Sequence, residues 1–195
     1  MARQFFTRLS ATVLFWAEAF TRPGQIGAVA PSSRKLGIAM ARWLPEDRQA
    51  WVIELGAGTG SVTRELLRRG HQPARLLAIE KSEKLADRLR KDYPQARIVT
   101  GDAFDLDTLL AGCGGSPGQA AAVISSLPLV NFAPASANRL VQKIHAVLVS
   151  GGLYVQFTYR LLRQPPAAVS QFARAGSQIV WANLPPARVN AYRKA

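Results

Sequence analysis

Five short apolar runs, WVIEL (51–55), ARLLAIE (74–80), ARIVT (96–100), AAVIS (121–125) and LYVQFTY (153–159), are separated by segments of helical composition over about 59–69, 82–92, 103–111 and 134–149. Runs rich in Val, Ile and Leu, with no strict polar alternation, suit strands buried on both faces, which belong to parallel sheets covered by helices. Their strict alternation with helices predicts right-handed βαβ units and an α/β fold. A Pro-flanked helix is expected near 165–175. SQIVWANL and ARVNAYRK, separated by Pro185-Pro186, predict a terminal antiparallel pair.

The chemistry begins at ELGAGTG, Glu54 to Gly60, directly after the first run. Three glycines let the backbone turn tightly and approach a ligand, and a helix is expected to follow, with Thr59 and Ser61 offering hydroxyl caps. The first βα turn of such a sheet is a nucleotide-type site. The spacing is not that of a dinucleotide fingerprint: the sixth position is Ser61 counting from Gly56 and Thr63 counting from Gly58. Glu54 before the turn suits the positive amino end of a ligand better than a pyrophosphate. Glu80 closes the second run, where a carboxylate can accept both hydroxyls of a ribose. Asp102 follows the third, in TGDAFDL, placed to accept from an adenine amino group. Three acids at successive strand ends, together with GxGxG, are far more specific than any one of them.

ELGAGTG, AIEKS, GDAFDL and VISSLP resemble the sequential motifs of class I S-adenosylmethionine-dependent methyltransferases. The resemblance implies a Rossmann-like, seven-stranded, mostly parallel sheet with an antiparallel terminal strand. It also implies S-adenosyl-L-methionine as cofactor, with Gly56, Gly58 and Gly60 around its methionine part and Glu54 near its amino group. Glu80 would lie on ribose and Asp102 with Ala103 at adenine, while Thr59, Lys81 and Ser125 complete the implied set. GQIGAVAPSSRKLGIAMAR (24–42) and ISSLPLVNF further resemble bacterial phospholipid N-methyltransferases that methylate phosphatidylethanolamine. In related amino-methyltransferases acting on adenine, the segment after the fourth strand looks like Asn-Leu-Pro-Tyr, whose ring stacks on the base. Here it is Ser126-Leu127-Pro128-Leu129. Base stacking is worth about 1–3 kcal/mol where an aromatic supplies it, and Leu129 cannot supply that contact. An aliphatic amine has no face to stack, so the departure favours a small primary amine. Ser126 and the Leu127 and Pro128 carbonyls are the candidate acceptors for that amine, and Tyr159 is the candidate for orienting it or moving its proton. Arg160 and Arg163 are candidate ligands of a lipid phosphate.

Charge adds the partner. Twenty-five Lys and Arg against 12 Asp and Glu leave +13, and the last side-chain carboxylate is Asp107, a balance that attracts polyanions. Two domains are expected: residues 1–22, an amphipathic helix that lies in a membrane interface or caps the active site, and residues 23–195, the methyltransferase domain. No run of eighteen uncharged apolar residues predicts a membrane span, and the lone Cys113 excludes an internal disulfide. No metal is expected. The leading expectation is a phosphatidylethanolamine N-methyltransferase bound peripherally to the anionic inner face of the cytoplasmic membrane, with no nucleic-acid partner. The alternatives are an rRNA adenine N6-methyltransferase, which the charge favours and Ser126 and Leu129 disfavour, and a non-enzymatic adenosyl-ligand-binding module.

Overall fold

A computed structural model describes residues 34–161, 167–183 and 185–195. The expected 1–22 helix and Arg163 lie outside the described residues. The chain runs α1 (Arg34–Ala41), β1 (Trp51–Leu55), α2 (Ser61–Arg68), β2 (Leu76–Glu80), α3 (Glu83–Asp92), β3 (Arg97–Thr100), α4 (Leu106–Gly112), β4 (Ala120–Ser125), α5 (Pro134–Val147), β5 (Leu148–Thr158), β6 (Phe172–Val180) and β7 (Ala187–Lys194).

The strands form a seven-stranded sheet of order β3-β2-β1-β4-β5-β7-β6. β1 to β5 are parallel, and β7 is inserted antiparallel to both β5 and β6. This is the expected α/β, Rossmann-like methyltransferase architecture. Alternate residues of β1 feed opposite faces: Trp51, Ile53 and Leu55 join Leu110, Leu140 and Ile144 from α4 and α5. Val52 instead packs with Leu36, Met40 and Leu66 from α1 and α2. Both faces of the central strands are therefore covered, which is why β1 and β2 are buried throughout.

The helix expected near 165–175 is not present over the described residues 167–175. A single 3-10 turn covers Ala167–Val169, and Phe172 already begins β6. Phe172 and Val180 are the buried residues of this edge strand, so its first part, FARAG, offers no apolar alternation to betray it, and pairing with β7 overrides the local pattern; the SQIV that follows belongs to the expected antiparallel pair.

The path runs outward from β1 through β2 to β3, then returns to place β4 against the other side of β1. Ligands of open parallel sheets bind outside the carboxyl ends at such a reversal. Leu55 and Ser125, the last residues of β1 and β4, are register partners there, so ELGAGTG and SSLPLVNF emerge side by side.

Candidate active site

The glycine turn is built by backbone conformation. Gly56, Gly58 and Gly60 have φ of 72°, 57° and 80°, the left-handed region that side chains disfavour. Gly60, not a hydroxyl residue, is the N-cap of α2, and neither Thr59 nor Ser61 supplies a side-chain cap. This corrects the expected capping: a left-handed N-cap glycine lets the chain enter the helix without one. A Cβ on Gly60 would stand 2.6 Å from Leu89 of α3 and 3.1 Å from Tyr93, so the turn seats directly on that helix.

Glu80 organises the same turn from the end of β2. Its Oε2 accepts the Gly58 N–H at 2.8 Å and its Oε1 the Ser82 N–H at 2.9 Å. Each oxygen keeps a second lone pair, so the carboxylate both fixes the turn and can receive ribose hydroxyls. Asp102, after β3, accepts the Phe104 N–H at 3.0 Å and pairs with Lys81 at 2.9 Å. The Phe104 N–H and Lys81 hold its carboxyl below the usual range. Lys81 is 82% exposed, so the ion pair itself contributes little stability. Ala103 is buried beside Asp102. Phe104 stacks on Phe132 with ring centroids 6.0 Å apart, and the Arg139 guanidinium lies over Phe104 at 4.7 Å. The segments after β3 and β4 therefore close one wall.

The segment after β4 is pinned from three sides. Ser126 N–H donates to the Leu55 carbonyl at 2.9 Å, and the buried Ser125 Oγ accepts the Leu127 N–H at 3.2 Å. Leu127 also lies against Gly56, where a Cβ would stand 2.8 Å from Leu127 Cδ2. The third tie was not legible in the sequence: Gln156 of β5 donates from Nε2 to the Leu127 carbonyl at 3.0 Å, while its Oε1 accepts the Tyr154 hydroxyl at 3.0 Å. The Leu127 carbonyl also accepts the Leu129 N–H at 3.0 Å, so both lone pairs are committed, and the Pro128 carbonyl accepts the Asn131 N–H. Acceptor capacity toward a ligand thus remains at the half-buried Ser126 and at the second lone pair of Pro128. Leu129 is 2% exposed and belongs to the core.

A methyltransferase-domain model matches residues 52–152, more than half of the chain. The chain belongs to the methyltransferase family. It is 32% identical over 148 residues to the ornithine lipid N-methyltransferase of Singulisphaera acidiphila, covering 74% of this chain and 76% of that one. It is 33% identical over 84 residues to ribosomal RNA small subunit methyltransferase A of Chlorobium chlorochromatii, a match covering 43% of this chain and 28% of that protein. The crystal structure of the Burkholderia thailandensis 1,6-didemethyltoxoflavin-N1-methyltransferase, with bound S-adenosylhomocysteine, superposes with a TM-score of 0.65. That pair covers 95% of this chain and 89% of the other at 18% identity, which is a likeness of fold.

The methyltransferase uses S-adenosylmethionine, and its residues fit that cofactor. Glu54 is fully buried; its Oε2 accepts the Thr63 hydroxyl at 2.7 Å, while Oε1 has no hydrogen-bond partner among the described residues. A buried carboxylate oxygen without a donor is costly, and the ammonium of an amino-acid ligand would satisfy it. Burial pushes the Glu54 carboxyl from 4.5 up to about 8, against the opposing Thr63 bond. Because the folded value is raised, the group costs stability progressively as pH climbs from 4.5 to about 8. An ammonium at Oε1 favours the charged form. Binding of S-adenosylhomocysteine below about pH 8 is therefore expected to release up to one proton and to tighten as pH rises toward that value. Calorimetry in buffers of different ionisation enthalpy measures the proton count, and Glu54→Gln should abolish it. Proton-neutral binding by the unaltered protein would show that the ammonium does not meet Glu54.

Tyr159 follows β5, half-buried, with its ring edge-on to Phe157 at 5.3 Å. Burial holds its phenol above the ordinary value, with the Asn183 side chain opposing, so near neutrality it works as a hydrogen-bonding hydroxyl and not as a base. Arg160 is half-buried, its N–H donating to Thr158 Oγ1. His71 precedes β2 at the opposite end of the sheet, and His145 packs on Phe172 near the foot of α5, so neither reaches the glycine turn.

Proposed function

We propose that this methyltransferase N-methylates the aliphatic amine of a membrane lipid, with phosphatidylethanolamine as substrate. The observation that carries the reading is Leu129: the position that holds a base-stacking ring in adenine amino-methyltransferases is here an aliphatic side chain packed into the core. The lipid N-methyltransferase relative covers three-quarters of each chain, whereas the rRNA relative aligns over less than half of this one. Arg160 supports a phosphodiester beside the amine, Arg163 being the second donor proposed from the sequence. The net charge of +13 supports an anionic membrane surface, at the inner face of the cytoplasmic membrane, as the partner. No helix among the described residues is long and apolar enough to cross a membrane.

Bound S-adenosylmethionine supplies a transferable methyl group on its sulfonium. The chain aligns the acceptor: Ser126 Oγ and the Pro128 carbonyl take the amine hydrogens, and the Gln156 and Ser125 ties keep those acceptors from drifting. Methyl transfer to neutral nitrogen relocates positive charge and creates none, so orientation supplies most of the rate. No side-chain carboxylate follows Asp107. Glu54, Glu80 and Asp102 are taken up by the cofactor side of the site, so we assign the proton that the lipid ammonium must shed to water, with the Tyr159 hydroxyl orienting the exit.

Ornithine lipids are a second reading, favoured by the named relative; their headgroup offers an aliphatic amine on an amino acid in place of a phosphodiester. Mass spectrometry of vesicles carrying either lipid, after incubation with the protein and cofactor, separates the two. Methylated phosphatidylethanolamine is the expected product. Methylation confined to ornithine lipid would move the assignment there.

A further inference from the structure

Trp181 is 70% exposed, the one large apolar side chain so displayed among the described residues. It stands in the turn between β6 and β7. Because β7 is antiparallel to both β5 and β6, β6 runs in the sense of the parallel strands, and this turn lies at the same end of the sheet as the glycine turn and Ser126. The next basic residue, Arg188, is the register partner of both Thr158 on β5 and Ile179 on β6, two positions from Arg160. Ala187 and Val189 point into the core beside α1 and α2, so Arg188 projects from the opposite face, the one that also carries Gln156 and Tyr154.

The Arg188 guanidinium is unusual in its surroundings. Its Nε is shielded from solvent without a hydrogen-bond partner, and it enters no ion pair among the described residues. A partly buried guanidinium ordinarily meets a carboxylate or carbonyl. Here the segment 181–188, WANLPPAR, has no acid, and the last one in the chain, Asp107, is bonded to Lys143 at 2.7 Å. An exposed indole two residues beyond the register partner of a guanidinium whose Nε lacks an internal acceptor matches a lipid–water interface: Trp partitions to the headgroup level, and Arg takes phosphate through its planar fork.

We propose that the β6–β7 turn is a bilayer-docking lip, in which Trp181 seats in the interface and Arg188 receives a phosphate of a phospholipid headgroup. The proposal rests on the lipid-substrate reading above. The lip delivers the amine of a bilayer lipid to the end of the sheet where Ser126 and Pro128 lie, so the lipid need not leave the membrane.

The test uses the full chain and vesicles of phosphatidylethanolamine with phosphatidylglycerol at fixed salt, scored by sedimentation. Trp181→Ala should lower partitioning several-fold while leaving turnover of a water-dispersed short-chain phosphatidylethanolamine intact. Arg188→Gln should lower partitioning about fivefold, the factor for one basic residue at an anionic surface. It should also raise KM for dispersed phosphatidylethanolamine more than for a phosphate-free alkylamine, and Arg188→Lys should recover the partitioning but only part of the KM. Unchanged partitioning of both variants would overturn the lip, as would a Trp181→Ala variant that changes only the oligomeric state. Vesicle binding that depends on Trp181, with no methylation of any lipid, would keep the lip and overturn the lipid-substrate reading.

Discussion

Replacing Glu80 with alanine is expected to weaken binding of S-adenosylhomocysteine by ~10- to 100-fold, since hydrogen bonds to a charged acceptor contribute about 1.5–3 kcal/mol each. The carboxylate, only 9% exposed, holds the Gly58 and Ser82 N–H groups in place. Removing it leaves two part-buried donors unpaired and a glycine turn without its clasp, besides deleting the proposed ribose acceptor. Glu80→Gln keeps one oxygen and should fall between the two. The fold itself should survive, because β2 is secured by its apolar neighbours on both sides. Equilibrium dialysis measures the constant, and a change of less than about twofold would place the ribose elsewhere, since even one lost bond of this kind exceeds that factor.

The second large effect belongs to Gln156. Gln156→Leu preserves volume in a 7% exposed position but removes the donor to the Leu127 carbonyl and one of the partners of the fully buried Tyr154 hydroxyl, which keeps the Ser125 side chain. A stability loss of about 1–3 kcal/mol follows from the two lost buried hydrogen bonds. The kinetic loss should be larger in consequence, because a bend displaced by even a fraction of an ångström presents Ser126 and Pro128 out of line. A fall in kcat of ~10-fold or more is expected with the cofactor dissociation constant unchanged, orientation being the main source of rate. A variant that loses cofactor affinity in step with kcat would mean that Gln156 supports the whole site and not the bend.

Much of this was legible in the sequence, for reasons that particular elements make clear. β1, β2 and β4 are buried on both faces, so their apolar runs stand out, and the glycine turn betrays itself because its φ values need glycine. The antiparallel pair is legible in SQIVWANL and ARVNAYRK, whereas the first part of β6, FARAG, reads as helix because an edge strand with one covered side leaves Arg174 exposed. That first part is held as a strand by pairing with β7, which its own local pattern does not encode. Gln156 carries no signal in the sequence because a single amide in LYVQFT becomes meaningful only when β5 is laid in register beside β4. The same holds for Arg188: in sequence it is one of many basic residues, and only the fold deprives it of a partner at the rim of the site. Ser126 and Leu129 stand between these cases, the residue types being visible while the core location of Leu129 was not.

The measurement that bears most directly on the account places phosphatidylethanolamine vesicles and deproteinised small-subunit rRNA in one reaction with methyl-labelled cofactor and the full-length protein. Label in the lipid amine and none in RNA is the predicted result. Label in adenine with none in lipid would contradict it, and would mean that a base is held here without the stacking ring.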